Sequence, residues 1–169
     1  QLKDLLITIG QTKIETNKKY TIESSNIIYD RLTKNISTKE KAIAEDNLNN
    51  KFNFDGFSLS MKDKILKTKN ANLIDSQLNK YNIEKLIFNL ETNEIIGKDL
   101  DINFNNNLFN SKNNEPRLKG RAFSYNKDIT SVKKSIFTTC QKRDGCPPWV
   151  MTAEEIKHDK KKKTINYKN

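Results

Sequence analysis

Apolar residues in this chain recur at every second position in short bursts, with little of the three-and-four spacing of a helix. Ile22, Ser24, Asn26 and Ile28 fall on one side of such an alternation, and Thr21, Glu23, Ser25 and Ile27 on the other. Phe52 and Phe54 are followed by Phe57, Leu59 and Met61, a one-residue slip around Gly56 that predicts a β-bulge. Leu100, Ile102 and Phe104 alternate with Asp99, Asp101 and Asn103. Leu2 to Ile9 reads as a further strand, and Asn105 to Glu115 as a long polar loop. The pattern predicts an all-β chain of short strands: a sandwich, a jelly roll or a β-solenoid-like stack.

A weak repeat punctuates the strands. An Asp or Asn opens a polar turn, and an apolar residue six positions on restarts a strand: Asp30 to Ile36, Asp46 to Phe52, Asp75 to Tyr81, Asn89 to Ile95, Asn126 to Val132, Asp159 to Ile165. Such side chains bond to backbone two residues on and tolerate left-handed geometry, which suits them to hairpin turns. The alternation also nominates an inward set: Ile22, Ile28, Phe54, Leu59, Leu73, Ile83, Phe88, Leu100, Ile102, Phe104 and Phe123. In a closed structure these residues simply make the core.

Length and charge narrow the picture. The 169 residues suffice for one domain with a real core. No run of apolar residues is long enough for a membrane-crossing helix. Gln1-Leu2-Lys3-Asp4 does not look like a signal peptide, and the chain reads as a fragment of a longer precursor. The net charge of +10 raises nucleic acid or an anionic surface as partner. Abundant Lys, Asn and Ile together read more simply as compositional drift. The Lys160 to Lys163 run reads as a solvated hairpin tip before it reads as a phosphate contact.

Chemistry is sparse. His158-Asp159 resembles a dyad, but no Ser or Cys nucleophile sits in a recognisable elbow, so no catalytic residue and no enzyme activity is expected. Two cysteines and one histidine fall short of a four-ligand zinc site, so no metal is expected. The five glycines form no phosphate-binding loop, and no cofactor is expected. Cys140 and Cys146 flank a turn that permits a local disulfide, which would imply an oxidising compartment. Pro147-Pro148 stiffens the approach to Trp149, which reads as a packing anchor.

The segment from Phe137-Thr138-Thr139-Cys140 to Cys146-Pro147-Pro148-Trp149, followed by Ile156-Lys157-His158-Asp159, resembles the LptD (OstA) family of outer-membrane lipopolysaccharide assembly proteins. Pro116 to Ala122 resembles the same family's pattern. The resemblance is strongest from Pro116 to Asn169 and rests on hairpin pattern alone before that. It implies that residues 1–169 form one OstA-like domain on the periplasmic side of the outer membrane, ahead of a C-terminal membrane β-barrel. The implied fold is a β-jelly roll, two antiparallel sheets enclosing a hydrophobic groove, with the inward set above lining it.

The implied function is transport. Lipopolysaccharide arrives from an LptA-like periplasmic bridge protein and passes to the barrel, acyl chains in the groove. An LptE-like lipoprotein is a further implied partner. The bridge would join by strand addition at Leu5, Ile7, Ile9, Ile14 and Tyr20. In some members cysteines of this domain bond to the barrel, so Cys140 and Cys146 pair either with each other or with absent partners. Two other readings stand beside this one: a stand-alone LptA- or LptC-like carrier, and a basic, β-rich nucleic-acid-binding domain.

Overall fold

The computed structural model describes residues 4–16, 20–106, 114–142, 147–159 and 161–169. In chain order they form β1 (Leu5–Ile7), β2 (Gln11–Thr16), β3 (Tyr20–Ser25), β4 (Ile28–Asp30), β5 (Asn35–Asp46), β6 (Lys51–Ser60) and β7 (Ile65–Ile74). There follow β8 (Lys80–Asn89), β9 (Glu94–Asn103), β10 (Arg117–Tyr125), β11 (Ile129–Thr138), β12 (Met151–Asp159) and β13 (Thr164–Lys168). From β5 onward each strand pairs antiparallel with the next, a continuous meander. β5 pairs with β4 near its start and with β3 near its end, and β1 and β2 border those two strands.

The expected jelly roll of two sheets is not what forms. All the strands belong to one 13-stranded sheet that does not close into a barrel, because β13 pairs only with β12 and β1 only with β4. The reason lies in the turns. From β5 onward every connection, the short turns and the longer links of β9–β10 and β11–β12 alike, joins two strands that pair side by side, so the described strands stay in one sheet.

Six Asx residues set these turns as the repeat predicts. Asp30 Oδ1 accepts the N–H groups of Leu32 and Thr33 at 2.9 and 3.1 Å. Asp46, Asp75, Asn89 and Asn126 each accept two N–H groups in the same way, and Asp159 accepts that of Lys162. Lys34, Asn93 and Lys163 then take left-handed φ values of 57°, 57° and 52° as the chain turns back.

A single sheet with one apolar face has to cover that face with itself, and a crease makes this possible. Gly56 (φ 70°), Asn70 (49°), Asp99 (52°) and Lys134 (49°) adopt left-handed conformations in mid-strand. At Lys69-Asn70, Glu84-Lys85, Arg121-Ala122 and Lys133-Lys134 two consecutive residues face solvent, so the inward parity slips by one. The slips line up across the sheet, through the pairs Lys69–Lys85, Lys85–Lys98, Ala122–Lys98, Ala122–Lys133 and Lys133–Glu155. Bulges bend a strand and increase its twist, and bulges in register bend the whole sheet. Phe54 and Phe57, on either side of Gly56, meet edge to face at 6.0 Å. The far margins also meet: Tyr20 on β3 stacks edge-on against Phe88 on β8 at 5.7 Å, and its hydroxyl donates to Asn93 Oδ1 at 2.9 Å.

The crease also corrects one inward assignment. Asn26 (φ 52°) breaks the alternation between β3 and β4, so Ile27 is buried (4 % exposed) and Ile28 faces out (37 %). The strand expected over Leu2 to Ile9 exists as Leu5–Ile7, with Leu2 and Lys3 outside the described residues. Most of the loop expected from Asn105 to Glu115 also lies outside them.

Candidate functional site

Inward side chains form rows that cross the sheet at right angles to the strands. Near one margin a row runs from Ile14 and Ile22 through Ala44, Phe52, Leu73 and Tyr81 to Ile102, Leu118, Phe137 and Met151. Near the other margin a row runs from Ile36 through Leu59, Leu66, Phe88 and Ile95 to Tyr125, Thr130, His158 and Ile165. A third, beside the crease, ends in Phe123, Val132, Ile156 and Tyr167.

Exposure along these rows is uneven. Over the central strands they are filled by their own side chains: Ile22, Phe54, Leu59, Ile83, Phe88, Leu100 and Ile102 are all buried, and Leu73, Phe104 and Phe123 are half-buried. Of the residues expected to line a groove, all but Leu73 and Ile28 pack into one core; Leu73 is half-buried and Ile28 faces out. Towards β13 the cover runs out. Tyr125 is exposed, Ile156 is half-buried, and Ile165 and Tyr167 are each 53 % exposed although they lie on the inner face. Among the described residues the accessible apolar inner surface lies at the two ends of the sheet: at β1, where Leu6 is 45 % exposed and in line with Tyr29 and Ile36, and at β12–β13. The sequence carried a signal for the latter in the alternation of Ile156 with His158 and of Ile165 with Tyr167, partly masked by the lysine run between them.

The margins on either side of this inner face differ. One is formed by the turns after β4, β6, β8, β10 and β12, and exposes Lys34, Lys62, Lys64, Lys127, Lys162 and Lys163. The other, formed by the turns after β5, β7 and β11, exposes Leu48, Leu78, Trp149 and Val150. Trp149 lies 6.1 Å from the Phe137 ring and its carbonyl accepts the Thr138 hydroxyl at 2.8 Å. It anchors the approach to β12 while remaining half exposed.

On the apolar margin Tyr81 donates to Asp75 Oδ2 at 2.9 Å, a carboxylate that also accepts from the Asn79 amide at 2.8 Å. Burial, and then the hydrogen-bonded Asp75 carboxylate, push the Tyr81 phenol well above its usual range. Tyr20 is raised in the same direction by burial and by Asp46. The folded state thus holds these protons more tightly than the unfolded chain, so their stabilising contribution is intact below about pH 10 and is lost as pH rises beyond it. Melting curves recorded from pH 9 to above pH 11 are expected to show falling stability in the parent and a shallower fall in Tyr81→Phe.

Two depressions lie on the outer face. One, of about 390 Å³, is lined by Lys13, Glu23, Ile43 and Glu45 among others. The other, of about 240 Å³, is lined by Asn70, Asn72, Asn82, Glu84, Asp99 and Asp101. A hydrogen bond with Glu84, then the charges of Lys98 and Arg121, hold the Asp99 carboxyl below the usual range. Asp101 pairs with Lys119 at 3.0 Å through one oxygen, while the other is buried with no hydrogen-bond partner among the described residues. Among the described residues no three acidic, His or Cys side chains are placed to hold a metal ion.

The remaining expected positions divide. Leu5 and Ile7 lie on the edge strand β1, Ile9 follows it almost fully exposed, and Ile14 lies on β2, half-buried against the core. Tyr20 is not on an edge, since β3 is flanked by β2 and β5. Cys140 lies beside the Trp149 carbonyl, its Sγ at 3.8 Å. Cys146 is outside the described residues, and so is its pairing with Cys140. No family model matches the chain, and no curated protein matches it in sequence.

Proposed function

We propose that the chain shelters the acyl chains of an amphiphile on the inner face of its folded sheet, and that the amphiphile is lipopolysaccharide in transit to an outer membrane. The carrying observation is that the inward rows still present Ile156, Ile165 and Tyr167 on β12 and β13, where no described residue buries Ile165 or Tyr167. Ile156, Ile165 and Tyr167 offer a surface that water wets at a cost of about 25 cal/mol for each Å². The filled central strands set a limit on capacity. A carrier that buried every chain of such a lipid would approach the ceiling of non-covalent affinity, about −20 kcal/mol, and would not release it. Partial shelter at one end suits a protein that passes cargo on.

The LptD-like segment from Phe137 to Asp159 supplies the identity of the lipid in this reading, with an LptA-like protein as donor and a membrane β-barrel as acceptor. Edge strands β1 and β2, each paired on one side only among the described residues, offer the donor a place to join by strand addition.

Photocrosslinking tests the reading face by face. A benzophenone side chain in place of Ile156 or Tyr167 is expected to label lipopolysaccharide. The same group in place of their outward neighbours Lys157 or Asn166 is expected to label it at least fivefold less. Equal labelling from both faces, or none from either, overturns the proposal.

A further inference from the structure

The β12–β13 hairpin joins two features. Its strands carry Ile165 and Tyr167, exposed on the inner face, beside half-buried Ile156, and its turn carries Lys161, Lys162 and Lys163, all exposed. The last inward pair, His158 with Ile165, stands one residue pair below the turn, because Asp159 and Thr164 close it. At 3.2–3.4 Å per residue, the lysine tip is therefore within roughly 7 Å of the Ile165 backbone along the strand.

The charges around the tip are largely committed in one direction. Asp159 uses its side chain to accept the Lys162 N–H at 2.9 Å, and Asp128 is paired with Lys161 at 3.1 Å. Among the described residues no carboxylate is ion-paired with Lys162 or Lys163. Lys127, exposed in the neighbouring turn on the same margin, adds to the positive field. His158 is exposed on the inner face beside Ile165.

We infer that the β12–β13 tip is a headgroup clamp: Lys162 and Lys163 take the phosphate of an amphiphile whose chain lies against Ile156, Ile165 and Tyr167. This rests on the lipid-sheltering reading above and adds to it a preference for anionic, phosphate-bearing lipids. Charge complementarity selects the occupant. An apolar strip that ends one residue pair from lysines with no ion-pair partner among the described residues fits a molecule with a chain at one end and a phosphate at the other. A lysine beside a lipid phosphate contributes about a fivefold gain in affinity.

The probes are dodecyl phosphate and dodecyl maltoside, which share a chain and differ in head, with inorganic phosphate and single-stranded DNA as further arms. Binding is read by calorimetry at low and moderate salt. The parent is expected to bind dodecyl phosphate at least tenfold more tightly than the maltoside, with the difference shrinking as salt rises. The double variant Lys162→Ser with Lys163→Ser is expected to lose that preference and to keep its affinity for the maltoside and its melting temperature.

Equal binding of the two amphiphiles by the parent overturns the clamp and leaves the lipid-sheltering reading standing. Binding of neither overturns both. A parallel fall in both affinities in the variant, or binding of inorganic phosphate or DNA as tight as that of dodecyl phosphate, also overturns the clamp.

Discussion

Gly56→Ala is expected to destabilise the fold by about 2–4 kcal/mol. The residue sits at φ 70°, a conformation that costs an L-residue with a Cβ roughly 1–2 kcal/mol. A Cβ placed there would also stand 2.7 Å from the Thr38 carbonyl oxygen and 3.1 Å from the Lys39 Cα, both backbone atoms of the neighbouring strand. Relieving that contact means moving β5 where its register with β6 already shifts between Thr38 and Lys41, an overpacking cost of typically 1–3 kcal/mol. Asn70 is the control. It lies on the same crease at φ 49°, its side chain is exposed and reaches Asp55 at 3.1 Å, and Asn70→Gly is expected to change stability by less than about 1 kcal/mol. Urea unfolding of both variants measures the contrast. A Gly56→Ala midpoint equal to the parent's would mean that this glycine does not set the bend.

That crease marks where sequence reading succeeds and where it stops. The slip from Phe54 to Phe57 around Gly56 was visible because apolar residues on both sides reported the change of parity. The Asx turns were visible for a related reason, since their chemistry is local and each side chain caps its own turn. The slip at Asn26 was hidden. Ile27 and Ile28 are adjacent and equally apolar, so only the left-handed Asn between the strands decides which one faces in.

The number of sheets was hidden more deeply. Alternation states which residues face inward but not which inward faces meet. Two sheets packed together and one sheet folded on itself put the same residues inside. What separates them is whether any connection crosses from sheet to sheet, a property of turn geometry summed over the whole chain. The open β12–β13 end of the inner face was legible in part: Ile165 and Tyr167 alternate plainly, but their exposure depends on what the fold fails to lay over them.

Leu59→Ala and Ile165→Ala, two substitutions in one cross-strand row, are expected to differ sharply. Leu59 is 1 % exposed, between Ile36 and Leu66, and its truncation should cost about 2–5 kcal/mol, since the removed methyl groups leave a cavity as well as losing burial. The sheet has little means of closing such a cavity. Its two halves are parts of the same strands, so a shift to fill the gap in one half would pull on the bulge that positions the other. Ile165, at the far end of the row and 53 % exposed, has few buried contacts to lose, and its truncation is expected to cost less than about 0.5 kcal/mol. The ordering should reverse for ligand. Ile165→Ala removes apolar surface where an acyl chain would lie and is expected to weaken dodecyl phosphate binding several-fold, with folding unchanged. Denaturation midpoints and titrations on the same pair measure both quantities. Should Ile165→Ala destabilise the chain as much as Leu59→Ala does, the end of the row is covered in solution, and the inner face has no room there for a lipid.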